Sequence, residues 1–129
     1  MVCADTDFLI DLSNREEKAL EKLKGIREKG DTIYTTTISI GEYYTGAYRS
    51  RDREGRVSKA REFLKAFVPL TPDHESARLW GQLAAELKSN IIGDLDLLIA
   101  SIAFSNKQTL ITRNKKHFER VPGLEVEGW

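Results

Sequence analysis

The side chains able to do chemistry in this chain are mostly carboxylates. Asp5, with Thr6 and Asp7, follows the apolar run Val2-Cys3-Ala4. Glu42 stands one turn into a helix that follows a β-branched stretch, and Asp94 and Asp96 come just after Gly93. Asp5 and Asp96 both border apolar runs, so the fold would bring carboxylates together at the edge of a core. Held there they repel one another and move their pKa values unless a cation joins them. Oxygen ligands without a cysteine or histidine cluster suit Mg²⁺ or Mn²⁺ rather than zinc. Such an ion keeps waters, binds substrate phosphate and makes a hydroxide nucleophile, so phosphodiester hydrolysis is the expected reaction class. Taken singly, each acid has an ordinary role. Asp5, Asp7 and Asp94 would cap helices, Asp96 would suit the helix dipole, and Glu42 would be a plain helix residue. Only their combination points to a site.

The elements that must position these acids are legible as periodicity. Residues 1–5 read as a short buried strand, and 8–29 as a helical stretch broken near Ser13-Asn14 and closed by Gly30. A strand over 32–36 precedes helices over 39–51 and 55–67. Residues 67–70 form a strand candidate, and Thr71-Pro72 reads as the start of a helix. That helix would turn Ala77, Trp80, Leu83, Ala84 and Leu87 to the core. A helix over 94–105, a strand over 109–112, a one-turn helix over 114–118 and a strand over 124–126 complete the chain. Strands alternating with helices predict an α/β sandwich in three layers, α/β/α, around a mainly parallel sheet of about five short strands.

Composition narrows the setting. At 129 residues one domain spanning 1–129 is expected, and 40% apolar with 31% charged residues excludes a disordered or fibrous chain. No apolar run is long enough to cross a bilayer. The first residues lack the basic-then-apolar build of a signal peptide, and the lone cysteine, Cys3, cannot close an internal disulfide. A cytoplasmic location is therefore expected. Twenty basic and twenty acidic residues cancel, which speaks against coating nucleic acid at large. Yet 46–65 and 107–120 each carry +4, leaving −8 for the rest. If those segments flank the acids, Arg49, Arg51, Arg113, Lys115 and Lys116 are the candidates to grip a nucleic-acid backbone.

At these residues the sequence resembles the PIN-domain family, and within it the VapC-type ribonuclease toxins of toxin–antitoxin pairs. The resemblance runs through Val2-Cys3-Ala4-Asp5-Thr6-Asp7, Ser39-Ile40-Gly41-Glu42 and Asp96-Leu97-Leu98-Ile99-Ala100-Ser101. It continues through Leu110-Ile111-Thr112-Arg113-Asn114-Lys115-Lys116-His117-Phe118 to the closing segment from Pro122 to Trp129. It implies a PIN-like fold and a Mg²⁺-dependent endoribonuclease. Asp5, Glu42 and Asp96 would hold the metal, with Asp94 as an added acid. Thr6 and Thr112 would orient the site, and Asn114 a water or phosphate. It also implies an antitoxin partner and a homodimer. Asp7 stands where many members have asparagine, and Asn114 where many have a fourth aspartate; both bear on whether one metal or two are bound.

Other signals are weaker. Asp5-Thr6-Asp7 also resembles the opening motif of haloacid-dehalogenase phosphatases, with Asp5 as nucleophile and Asp7 as acid. The later aspartate that reading needs falls on Leu98. A PIN-like module that only binds a partner is a third reading. His74 reads as a first-turn helix residue and His117 as a packing or surface residue. Trp80, Leu83, Leu87 and Cys3 read as core, while Tyr43, Tyr44 and Tyr48 suit either core or a partner surface.

Overall fold

The computed structural model describes residues 1–87 and 92–129. Five strands, β1 (Val2–Ala4), β2 (Ile33–Thr36), β3 (Val68–Leu70), β4 (Thr109–Ile111) and β5 (Val126–Glu127), form one sheet in the order β3-β2-β1-β4-β5. Every pairing is parallel, with Val2 opposite Ile33 on one side and Thr109 on the other. A parallel sheet must be covered on both faces because its crossovers are helices. The helices are α1 (Thr6–Ser13), α2 (Glu17–Glu28), α3 (Thr37–Tyr48), α4 (Arg53–Leu64), α5 (His74–Glu86), α6 (Asp94–Ser105) and α7 (Lys115–Phe118).

Strand alternation sorts the core into two halves. Val2, Ala4 and Ile111 point into one cluster with Phe8, Leu9, Leu12, Ile26 and Leu64 of α1, α2 and α4. Cys3 and Leu110 point the other way, toward Leu83, Leu97, Ile99, Ala100 and Phe118 of α5, α6 and α7. The result is the expected α/β/α sandwich, and Cys3 is fully buried as expected. Among the described residues no helix is long and apolar enough to cross a membrane.

Helix starts place the chemistry. Asp5 caps α1, its side chain accepting from the Thr6 amide, so the helix begins two residues earlier than periodicity suggests. Thr36, last in β2, caps α3 by accepting from the Ser39 amide at 3.0 Å. The break between α1 and α2 falls at Asn14–Glu16, and Gly30 has φ +75°, the left-handed conformation that ends a helix and favours glycine.

Three expectations shift. The helix after Pro72 starts at His74, not at Thr71-Pro72, because Asp73 and Ser76 form a reciprocal capping box. Its buried face carries Ser76, Leu79, Leu83 and Leu87, so Trp80, expected in the core, is 36% exposed. Both faces of α5 are apolar in sequence, and the one richer in leucine packs on α6. Asp94 does not cap α6; Gly93 holds that position, with Asp94 the first residue inside the helix.

Candidate active site

The carboxyl ends of β1 and β4 lie side by side at the centre of the sheet, where open α/β sheets place their ligands. Asp5 emerges from β1 buried, with its amide donating to the Ile111 carbonyl at 2.9 Å. One carboxylate oxygen accepts from the Thr6 amide and the other from the Thr112 hydroxyl, both at 2.8 Å. Thr112 is fully buried, and its oxygen accepts in turn from the Asn114 amide at 3.1 Å. These donors favour the charged form, yet burial outweighs them. Together with the charge of Asp7, and a smaller push from Asp96, burial raises Asp5 from an ordinary 3.8 to about 7. A cation beside Asp5 would relieve that penalty.

Thr6 joins Asp5 to the next acid. Its hydroxyl donates to Glu42 Oε1 at 2.6 Å, across from α1 to the second turn of α3. Thr6 and Thr112 thus each donate a hydroxyl hydrogen bond to a carboxylate. Asp96, in the first turn of α6, lies within electrostatic reach of Asp5. His117 packs edge-on against Phe118, in line with the packing role expected for it, and its Nε2 also lies 3.2 Å from Asp96 Oδ2. Asp94 is exposed and makes no hydrogen bond or ion pair among the described residues, so it stands at the margin of the group. Asp7 stands closer in. Its Oδ2 accepts from the Arg113 amide at 3.1 Å, while its Oδ1 is buried without a partner. Burial raises Asp7 as well, against the Arg113 amide.

A buried oxygen without a donor, next to a buried carboxylate under repulsion, is the environment a hard divalent cation suits. Among the described residues no three acidic, histidine or cysteine side chains form a ready-made cage. Zinc and calcium sites need such a cage, whereas Mg²⁺ uses one or two carboxylates and keeps its waters. Asp5, Asp96, Glu42 and Asp7 fit that looser demand.

The basic candidates divide. Lys115 and Lys116 are exposed on α7, directly after Asn114, and so flank the acids. Arg113 is not free: it pairs with Asp11, and its guanidinium lies 5.7 Å from the Trp129 ring centre. Trp129 also donates to Asp11 at 3.1 Å and packs on Phe8, so the chain end locks this loop down. Arg49 and Arg51 are exposed past the end of α3, Arg49 being roughly 10 Å along the axis from Glu42. Beside Glu42 a groove of about 640 Å³ is lined by apolar Leu20, Leu23 and Phe63 and basic Arg27, Arg56 and Lys59. Tyr43 lines it too and stacks on Phe63 at 5.4 Å, whereas Tyr48 is 49% exposed.

Comparison with known proteins agrees with this geometry. The PIN domain profile matches residues 2–124. Ribonuclease VapC2 of Rickettsia felis is 32% identical over 127 residues, 97% of this chain and 95% of its own length. The tRNA(fMet)-specific endonuclease VapC of Salmonella typhimurium is 32% identical, covering 95% of this chain and 97% of its own. Among solved structures, VapBC2 from Rickettsia felis bound to a promoter DNA fragment superposes with a TM-score of 0.89 at 30% identity. That match covers 100% of this chain and 99% of the other. With the profile spanning nearly the whole chain and the acids gathered where β1 and β4 end, the protein belongs to the PIN-domain family.

Proposed function

We propose that residues 1–129 form one nuclease domain that hydrolyses RNA phosphodiester bonds, the toxin of a VapBC-type toxin–antitoxin pair acting in the cytoplasm. The observation that carries this is the buried Asp5, held by Thr6 and Thr112 with Asp7 and Asp96 against it. Near-full-length similarity to ribonucleases named VapC supports the substrate class. PIN-domain ribonucleases are in general metal-dependent, and Mg²⁺, or Mn²⁺ in its place, suits an all-oxygen site. Asp5, Asp96 and Glu42 would hold the ion, directly or through water, with Asp94 supplying further negative charge. Bound there, the ion would lower the pKa of a water and offset charge on the phosphate.

The chain's own residues do the rest. Thr112 and the Thr6 amide keep Asp5 in one orientation, and the Thr6 hydroxyl does the same for Glu42. Asn114, exposed beside Thr112, is placed to orient a water or phosphate oxygen. Lys115 and Lys116 offer backbone contacts next to it, and Arg49 and Arg51 more distant ones. Arg113 serves the loop rather than the substrate, being paired with Asp11. The antitoxin partner fits the same reading. The groove beside Glu42 suits a segment bearing apolar and acidic side chains. A homodimer would use the outward face of α5, where Ala77, Trp80 and Ala84 are exposed.

The test is to offer the purified protein RNA and a small phosphomonoester, with Mg²⁺ and with EDTA. Cleavage of RNA alone, lost in EDTA, is expected. Turnover of the phosphomonoester with RNA left intact would favour the phosphatase reading. Growth arrest on expression that persists in Asp96→Asn would favour a binding module.

A further inference from the structure

Of the three acids that would hold the metal, Asp5 and Glu42 have a visible means of orientation and Asp96 does not. Asp5 is held by two donors and Glu42 by the Thr6 hydroxyl. The Asp96 side chain makes no hydrogen bond among the described residues, where its one ion-pair contact is with His117, whose Nε2 lies at 3.2 Å. That nitrogen is buried and makes no aligned hydrogen bond to anything. A shielded ring nitrogen 3.2 Å from a carboxylate oxygen is an unmet polar group with an acceptor within reach.

The local fold explains why the ring sits there. α7 is a single turn, and the His117 and Phe118 amides both donate to the Asn114 carbonyl, at 3.0 and 3.2 Å. Phe118 is fully buried and meets the imidazole edge-on, with ring centres 5.3 Å apart at 90°. The ring is thus fixed by packing on one side and presents Nε2 to α6 on the other. Asp96 itself is 36% exposed at the side chain.

We propose that His117 is a positioning residue: its Nε2–H donates to Asp96 Oδ2 and turns the other carboxylate oxygen toward the metal site. Outer partners of this kind raise ligand basicity and fix ligand geometry. The inference rests on the reading of Asp96 as part of a metal site, and it adds a residue outside the carboxylate set.

Mn²⁺ binding, followed by electron paramagnetic resonance of the free ion, tests it without reference to cleavage. Two variants lacking the donor, His117→Leu and His117→Met, are compared with His117→Gln, which keeps an N–H at similar reach. The donorless variants should weaken Mn²⁺ binding about tenfold or more at an unchanged melting temperature. His117→Gln should stay within about threefold of wild type. In an Asp96→Asn background, which itself weakens binding, His117→Leu should have no further effect. Wild-type binding in both donorless variants would overturn the inference, as would a His117→Gln loss equal to theirs. So would a full loss from His117→Leu on top of Asp96→Asn. If wild-type protein itself binds no Mn²⁺, the metal reading falls and this inference with it. That result is distinct from one in which only the His117 variants are silent.

Discussion

Asp5→Asn should stabilise the metal-free protein at alkaline pH and not at acid pH. Folding raises the Asp5 carboxyl from 3.8 to about 7, chiefly by burial. A raised carboxyl binds its proton more tightly folded than unfolded, so stability falls as pH rises through the interval between the two values. Well below about pH 4 the group is neutral in both states and costs nothing. Above about pH 7 the folded chain carries a buried charge, and the full difference corresponds to about 4 kcal/mol. Asparagine removes the charge and remains a good helix cap for the Thr6 amide. Relative to the neutral acid it gives up the hydrogen bond from the Thr112 hydroxyl, at a cost of about 1 kcal/mol. The net expectation is a gain of about 3 kcal/mol at pH 8 and a slight loss near pH 4. Urea unfolding in EDTA across that range measures it directly. A stability difference flat in pH, or a variant weaker than wild type at pH 8, would refute the account of Asp5 as a buried acid under strain. Adding Mg²⁺ should then stabilise the wild type and leave Asp5→Asn nearly unmoved.

Other consequences follow from single contacts. Thr112→Val, which removes the hydroxyl that donates to Asp5, should lower RNA cleavage by about 10- to 100-fold, with Thr112→Ser restoring most of it. Equal loss in both variants would point to packing instead. Burial pushes the Cys3 thiol far up from its ordinary value, so it should resist alkylation in the native protein at pH 8 and react on denaturation. Labelling in the folded state would contradict its placement beneath Asp5. Trp80→Glu on the outward face of α5 should shift the protein to monomer in size-exclusion chromatography, and an unchanged elution volume would remove that face as the dimer contact.

What could be read from the chain alone divides along a physical line. Asp5, Glu42 and Asp96 are legible because local rules place them: a strand of three buried residues must end, and a helix must begin nearby. Thr112 follows the same logic as a strand exit, whereas the cap at Thr36 is not apparent, because the helix it opens reads as starting at Ser39. The orientation of α5 is not local, since Leu79, Leu83 and Leu87 compete with Ala77, Trp80 and Ala84 for the core. Only packing on α6 decides it. Arg113 and His117 lie beyond the reach of pattern for the same reason. The partner of one is Asp11, 102 positions away, and the neighbour of the other is Asp96 on a different helix. A basic residue beside an acidic site reads as a substrate contact until its own carboxylate is known. Net charge likewise hides the division between exposed Lys115 and Lys116 and the groove-lining Arg56 and Lys59.

The central claim is that a metal held by Asp5 and its neighbours cleaves RNA, and side-by-side cleavage assays of wild type and Asp5→Asn with Mg²⁺ test it most directly. The account predicts RNA fragments from the wild type, none from a folded Asp5→Asn variant, and none from either in EDTA. Equal cleavage by the two proteins, or cleavage that survives EDTA, would contradict it.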